Sequence, residues 1–422
     1  MLGMLDEISP AVILYSRKDE KLAAQIVGET PAICIEDGIT GTYSAELLEA
    51  VRERVLDVDP VYMIFTSGST GKPKGIPISH RSLIDFTEWM SEFCGVRESD
   101  ILGNQAPFYF DLSVKDIYQT LKNGCSTYIL PKKLFMFPTL LVDYLNNRGV
   151  TVLFWATSAF RLVADSGIFE KKSLPNIRMA ALGGEALLAK HVNEWKKGAP
   201  SAEIINLYGP TEVTVDCTAY RLERDFEDGE PIPIGKACAN MEILLLDEEL
   251  REVADGERGE ICVRGAGIAL GYFADKNKTN AAFIQNPTNP YYRDILYRTG
   301  DIAKKLPDGN LLFLSRRDNQ IKHMGYRIEL GDIETALSGI DGAGDAVCFF
   351  DEADDAVVCC AVTALTAAQL TAQLKEKLPK YMIPNVWQIM TSLPMNANGK
   401  IDRVKLKNDY LASKSAESRE NS

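Results

Sequence analysis

The stretch FTSGSTGKPKG, residues 65–75, sets three glycines, four small hydroxyl residues and two lysines in eleven positions. It follows an apolar run. Backbone N–H groups and Ser/Thr hydroxyls placed there could wrap phosphate oxygens, and Lys72 or Lys74 would add charge. The glycines would let the main chain approach closely. The stretch is not a P-loop of the form G-x-x-x-x-G-K-[ST], because Thr66 stands where the first glycine belongs and Pro73 follows Lys72. Taken alone, a phosphate cradle and a plain Gly/Ser surface loop account for it equally well.

The elements around this loop alternate. VYMIFTSG (61–68), STYILP (126–131), TVLFWAT (151–157), IRMAALGG (177–184) and EIINLYGP (203–210) are short, rich in β-branched or aromatic residues and closed by Gly, Pro or Ser. They read as buried strands. Over 111–124, Val114, Ile117, Tyr118 and Leu121 share one helical face, Asp111 or Ser113 suits the N-cap, and Gly124 suits the stop. Such alternation predicts a mostly parallel, helix-covered sheet. After about residue 230 the texture becomes strands separated by Asp-Gly, Gly-Glu and Pro-Asp-Gly turns, as expected of an antiparallel or barrel-like subdomain over about 230–318. A further unit starts near 319, with helices over 329–338 and 367–377 and a strand over VVCCAV. The polar tail, 409–422, is expected to be disordered.

A chain of 422 residues supports more than one domain, and its formal net charge of −13 argues against sequence-independent nucleic-acid binding. Nine cysteines occur without a C-x-x-C pair and with only three histidines, so no zinc constellation is expected. Reduced thiols in a cytoplasmic protein are the expectation. The start MLGMLDEISPAVIL lacks a basic n-region, and no apolar run is long enough to span a bilayer, so neither a signal peptide nor membrane insertion is expected.

The loop has companions in a fixed order: PFYFDLSV (107–114), ALGGEAL (181–187), NLYGPTE (206–212), GEICVRGAGIALGY (259–272), YRTGD (297–301), RRDNQIKHMGYRIELGDIE (316–334), LPKYMIP (378–384) and NANGKIDR (396–403). Together they resemble the acyl-adenylate-forming (AMP-binding) superfamily, and within it the amino-acid adenylation domains of nonribosomal peptide synthetases and the stand-alone D-alanine–carrier-protein ligases. The resemblance runs to about residue 408. It implies an α/β fold with a large domain over 1–318 and a small mobile α+β lid over 319–408. It also implies two steps: a carboxylate attacks the α-phosphorus of ATP, and a carrier protein's phosphopantetheine thiol then takes the acyl group. A loop holding departing pyrophosphate need not follow the Walker pattern.

The resemblance assigns roles to particular residues. Thr66, Ser67, Gly68, Ser69, Thr70, Gly71, Lys72 and Lys74 would hold the phosphates. Asn206 and Tyr208 would meet adenine, with Gly209 in the same turn, and Gly183, Gly184 and Glu185 would wall the nucleotide and acyl groups. Thr211 would bond the α-phosphate, Glu212 would ligate Mg²⁺, Asp301 would accept the ribose hydroxyls, and Arg316 would contact the ribose or phosphate. Lys400 would bridge substrate carboxylate and nucleotide during adenylation. Asp318 matches the hinge, and Gly325 would line the thiol tunnel.

Asp111 could simply cap a helix, but amino-acid-activating relatives use this aspartate for the α-ammonium. The resemblance extends the substrate pocket to Leu112, Lys115, Phe154, Ala180, Leu182, Leu207, Val215 and Asp216. GGE stands where the D-alanine ligases have Cys-Gly-Glu, with Leu182 taken in the cysteine's place. Lys115 and Asp216 either pair with each other or one lies outside the pocket. The N-terminal sixteen residues resemble a segment well inside the usual large domain, so the opening part of the family fold is expected to be missing. No carrier signature of the G-G-[HD]-S type occurs, so a carrier would act in trans. An acyl- or aryl-CoA ligase and a truncated nucleotide-binding homologue without turnover are the alternatives.

Overall fold

The computed structural model describes residues 5, 7–66, 73–228, 230–317, 320–394 and 401–420. Ser67–Lys72, Asp318 and Lys400 therefore lie outside the described residues. Seven strands form the main sheet in the order Lys236–Ala237, Thr218–Arg221, Glu203–Tyr208, Met179–Gly183, Val152–Ala156, Ile101–Asn104 and Ser126–Ile129. The last five run parallel and the first two are added antiparallel. Helices including Pro138–Arg148, Thr157–Asp165 and Ala189–Gly198 connect the parallel strands. Helix crossovers of this kind bury both faces of a sheet, so its central strands Val152–Ala156 and Met179–Gly183 are buried along their whole length.

Alternate residues along a strand point to opposite faces. Leu153, Trp155, Ala180, Leu182 and Ile204 join one core cluster, while Val152, Phe154, Met179, Ala181, Ile205 and Leu207 join another. The first cluster is built around stacked Phe160 and Trp195, 4.4 Å apart, with Trp155 edge-on to Trp195. Both buried indoles are satisfied: Trp155 Nε1 donates to the Gly103 carbonyl at 2.7 Å and Trp195 Nε1 to the Phe160 carbonyl at 2.9 Å.

Two expectations change here. Pro60–Thr66 is a strand, but it pairs antiparallel with Lys74–Ser79 in a separate two-stranded sheet and is half-buried rather than buried. The two strands flank the glycine-rich loop. The helix Ser113–Asn123 ends at Gly124 in the left-handed region, φ 67, as expected. Its buried face, however, is Ser113, Val114, Lys115, Asp116 and Gln119, while Leu121 is 72% exposed. Polar residues can occupy that face because each finds a partner: Lys115 on Asp216, Asp116 on Asn104, and Gln119 on the Thr87 carbonyl.

A five-stranded antiparallel sheet follows, in the order Met241–Leu246, Arg258–Gly265, Ile295–Lys305 and Phe283–Gln285, with Leu311–Arg316 also on Ile295–Lys305. The hairpin Gln320–His323/Tyr326–Glu329 comes next. Then Ala346–Asp351, Ala356–Val362 and Val386–Met390 form a small sheet against the helices Leu330–Ser338 and Ala367–Lys377 around its own core. A capping box, Thr366 with Gln369, starts the second of these helices.

The expected disordered tail is corrected. The backbone is helical over Arg403–Glu420, and the described part is tied down. Arg403 pairs with Glu334 at 2.7 Å, Tyr410 packs on Phe349, and Lys414 pairs with Asp351 at 2.7 Å and Asp354 at 2.6 Å. Composition alone misses this because the anchors lie some 60 residues away. Every cysteine is a free, buried thiol. Among the described residues, no helix is long and apolar enough to cross a membrane.

Candidate active site

The turn after strand Glu203–Tyr208 brings three corners together. A Cβ on Gly209 would lie 2.5 Å from the Val215 carbonyl oxygen and 2.6 Å from Asp216 Cα, so only glycine fits. Beyond it, Thr214 and Val215 both hold left-handed backbone, φ 59 and 73. That is a strained choice for β-branched residues, and it is fixed by the Thr214 hydroxyl donating to the Gly267 carbonyl at 2.6 Å. The bent segment aims Asp216 back under the sheet.

At the first corner Asp301 is 4% exposed. Its Oδ2 accepts from the Tyr208 hydroxyl at 2.5 Å and its Oδ1 from Arg316, which faces it across the ladder. Arg316 also donates to the Thr299 carbonyl at 3.2 Å. Burial beside Asp301 pushes the Tyr208 phenol pKa well up. Asn206 spends its amide N–H on the Pro233 carbonyl at 2.8 Å, so that donor is turned into the fold.

At the second corner Glu212 is fully buried. Tyr272 donates to its Oε1 at 2.8 Å, and Lys74 Nζ stands 3.2 Å from the same oxygen. Lys74 also lies over the Tyr272 ring, 4.8 Å from its centroid. Thr66 ends the facing strand, and its hydroxyl oxygen is buried without a hydrogen-bond partner among the described residues. A cleft of about 380 Å³ opens here, lined by Lys74, Tyr272, Thr299, Arg316 and Arg317 among others. No cluster of three or more His, Cys, Asp or Glu that could hold a metal ion stands among the described residues. A buried carboxylate already facing a cation nonetheless has the right chemistry for Mg²⁺, which is commonly held by one carboxylate together with substrate phosphates. Tyr272 carried no assigned role in the sequence, where only its place in GIALGY marked it.

At the third corner Asp111 does not cap the helix. Its Oδ2 accepts from the Thr211 hydroxyl at 2.6 Å. Burial raises its pKa, opposed by the Thr211 hydrogen bond and by Lys322. Lys115 and Asp216 pair with each other at 2.8 Å, and both are buried. Leu112 packs with Ala106, Phe110 and Ala156. Phe154, Leu207 and Val215 share the cluster on the face of the sheet that carries Lys115.

Ala180 and Leu182 are corrected: they point to the opposite face, into the tryptophan cluster. The period of two exchanges them for Ala181 and Gly183. A Cβ on Gly183 would sit 3.4 Å from Asp216 Oδ1, so Gly183, not Leu182, faces the ion pair. Strict alternation within IRMAALGG was the signal that could have found this.

The GGE turn meets the hairpin. Gly184 has φ +103, and the Glu185 carboxylate accepts the Gly325 N–H at 2.6 Å. Burial pushes the Glu185 pKa up to about 6. Gly325, φ +80, lies at the tip against Ala156 and Ser158, and Tyr326 packs edge-on to Phe110 with centroids 5.0 Å apart. A side chain at the tip would fill that narrow approach.

A profile of the AMP-binding enzymes matches residues 3–273. The chain is 36% identical over 363 residues to the D-alanine–D-alanyl carrier protein ligase of Bacillus licheniformis, covering 83% of this chain and 71% of that one. It is 38% identical over 350 residues to tyrocidine synthase 3 of Brevibacillus parabrevis, covering 82% of this chain but only 5% of that much longer synthase. Among solved structures, the Vibrio cholerae adenylation domain AlmE, in complex with glycyl-adenosine-5′-phosphate, superposes with a TM-score of 0.77 at 27% identity. That alignment covers 95% of this chain and 75% of the other. With the profile matching well over half its length, the chain belongs to the AMP-binding enzyme family.

Proposed function

We propose that this chain activates an amino acid with ATP as an aminoacyl-adenylate and passes it as a thioester to the phosphopantetheine arm of a separate carrier protein. The observation that carries the reading is the contact between Asp111 and Thr211. It puts a buried anion suited to an α-ammonium beside the hydroxyl assigned to the α-phosphate. In the first step a substrate carboxylate oxygen bonds to the α-phosphorus, and the bond from that phosphorus to the bridging oxygen of pyrophosphate breaks. Thr211 and Lys400 would stabilise charge on the phosphoryl oxygens as it develops. Tyr208, Asp301 and Arg316 hold the nucleoside end, and Thr66, Lys74 and the loop between them take the phosphates. Glu212 would hold Mg²⁺ together with phosphate oxygens, and the ion would neutralise phosphate charge. In the second step the carrier thiolate adds to the acyl carbon and the carbon–oxygen bond to AMP breaks.

The large unit is residues 1–318 and the lid 319–408, turning about Asp318. The relatives named for a carrier protein and for a glycyl-adenylate support the reading of the reaction. The test is amino-acid-dependent exchange of labelled pyrophosphate into ATP, run over all amino acids in both enantiomers. Exchange with one or a few is expected; none from a folded sample would sink the reading. Exchange with acyl or aryl acids alone would make it a ligase of that class. Lys400→Ala should cut adenylate formation by orders of magnitude and leave transfer from preformed adenylate largely intact. Equal loss of both steps would remove Lys400 from its role.

A further inference from the structure

The contact between hairpin and sheet is held by more than the Glu185–Gly325 hydrogen bond. Asp355 sits in the turn between strands Ala346–Asp351 and Ala356–Val362, with left-handed backbone at φ 52, a conformation aspartate tolerates. Its two oxygens face opposite ways across the boundary. Oδ1 lies 3.2 Å from His323 Nδ1 on the hairpin, and Oδ2 lies 3.3 Å from an Arg161 nitrogen on the helix Thr157–Asp165. His323 is 2% exposed and packs edge-on to Phe350, which fixes its ring. Arg161 is in turn steadied by Asp165 at 3.4 Å. One carboxylate thus joins the hairpin to the helix that begins where strand Val152–Ala156 ends.

We propose that Asp355 is a positioning residue: its bridge between His323 and Arg161 latches the HMGYR hairpin onto the adenylate site for the thioester step. The inference rests on the proposed two-step function. Both members of the Asp355–Arg161 pair are mostly withdrawn from water, so the pair is less screened than an ordinary surface ion pair. It touches neither the Asp301 corner nor the Glu212 corner, so adenylation does not depend on it. Opening it releases the lid.

The test uses the full chain with Arg161→Asp, Asp355→Arg and the double exchange, alongside Asp355→Asn in case Asp355→Arg does not fold. Pyrophosphate exchange should stay within about twofold of wild type in all of them. Transfer from preformed adenylate should fall about tenfold in each single variant and recover in part in the double exchange, which restores the pair with position 161 but not the His323 contact. Spin labels on Leu121→Cys and Ile389→Cys, both exposed in a chain whose own thiols are buried, report docking independently of turnover. Loss of the docked distance in the single variants and its partial return in the double supports the latch. Unchanged transfer and distances in the singles, or no recovery in a folded double, would overturn it. If wild type shows no exchange with any amino acid, the functional reading fails, and the spin-label distances still decide the latch.

Discussion

The two faces of the central sheet are made from the same strands and do opposite work. One face is apolar: Trp155, Phe160 and Trp195 interlock with Ala180 and Leu182, and the indole N–H groups of Trp155 and Trp195 are satisfied by carbonyls. The other carries Lys115, Asp216 and Asp116 under the helix Ser113–Asn123, with Asp111 at its rim. Neighbours in sequence such as Ala180 and Ala181 belong to different faces. The candidate site residues Asp111, Lys115 and Asp216 lie on the face where buried charges have partners, and the opposite face is packed with apolar side chains.

The largest effects should come from breaking each face in its own way. Trp155→Ala should cost about 3–5 kcal/mol by cavity formation, and Lys115→Ala about as much by leaving Asp216 buried and unpaired. Denaturant unfolding separates the mechanisms: Lys115→Met with Asp216→Leu should restore stability to near wild type. A double variant as unstable as the single would show that the pair is not the cause.

Asp111→Ala should lower kcat/KM for the amino acid about a hundredfold, equivalent to about 3 kcal/mol, while ATP binding changes little. Because burial raises the Asp111 pKa, acidification should weaken amino-acid activation at a pH above the ordinary carboxylate range. An unchanged KM and kcat would leave Asp111 with no part in substrate binding. Ala181→Val and Ala180→Val should each cost about 1–3 kcal/mol by overpacking, yet only Ala181→Val should alter the ranking of amino acids in exchange assays. Equal rankings would erase the distinction between the faces at this strand.

The smallest effect concerns Asp116. Burial pushes its pKa up to about 7, opposed by the Asn104 hydrogen bond, and its Oδ1 has no hydrogen-bond partner among the described residues. The folded value lies above the unfolded one, so the native state keeps a proton that the unfolded chain has lost in the window between them. Stability from this group therefore falls as pH rises through that window. Asp116→Asn should flatten that slope and be about 1 kcal/mol more stable than wild type at pH 8. A slope unchanged in unfolding curves between pH 5 and 8 would assign it elsewhere.

Much of the architecture was legible because its signals are local. Gly124 stops its helix and Ala367–Lys377 has the expected bounds. The run of short apolar strands gave the α/β class. Strand Ile101–Asn104 was not read, since it is four residues long and ends in Gly103 and Asn104, both poor strand formers. The inward face of Ser113–Asn123 was misread because apolar periodicity cannot register a buried face made of paired polar residues. Tyr272 and Asp355 were not read as site residues because their partners, Glu212 and Arg161, lie 60 and nearly 200 positions away.

By itself the sequence determined the family and the chemical types in the site: an ordered set of motifs whose glycines, carboxylates and hydroxyls suit attack at an α-phosphorus. Only the tertiary structure decided which of those groups meet. It paired Lys115 with Asp216, turned Asp111 toward Thr211, placed Gly183 rather than Leu182 beneath them, and set Glu185 against Gly325. Residue type is written locally, whereas a partner is chosen by strand alternation and by contacts between segments far apart in the chain.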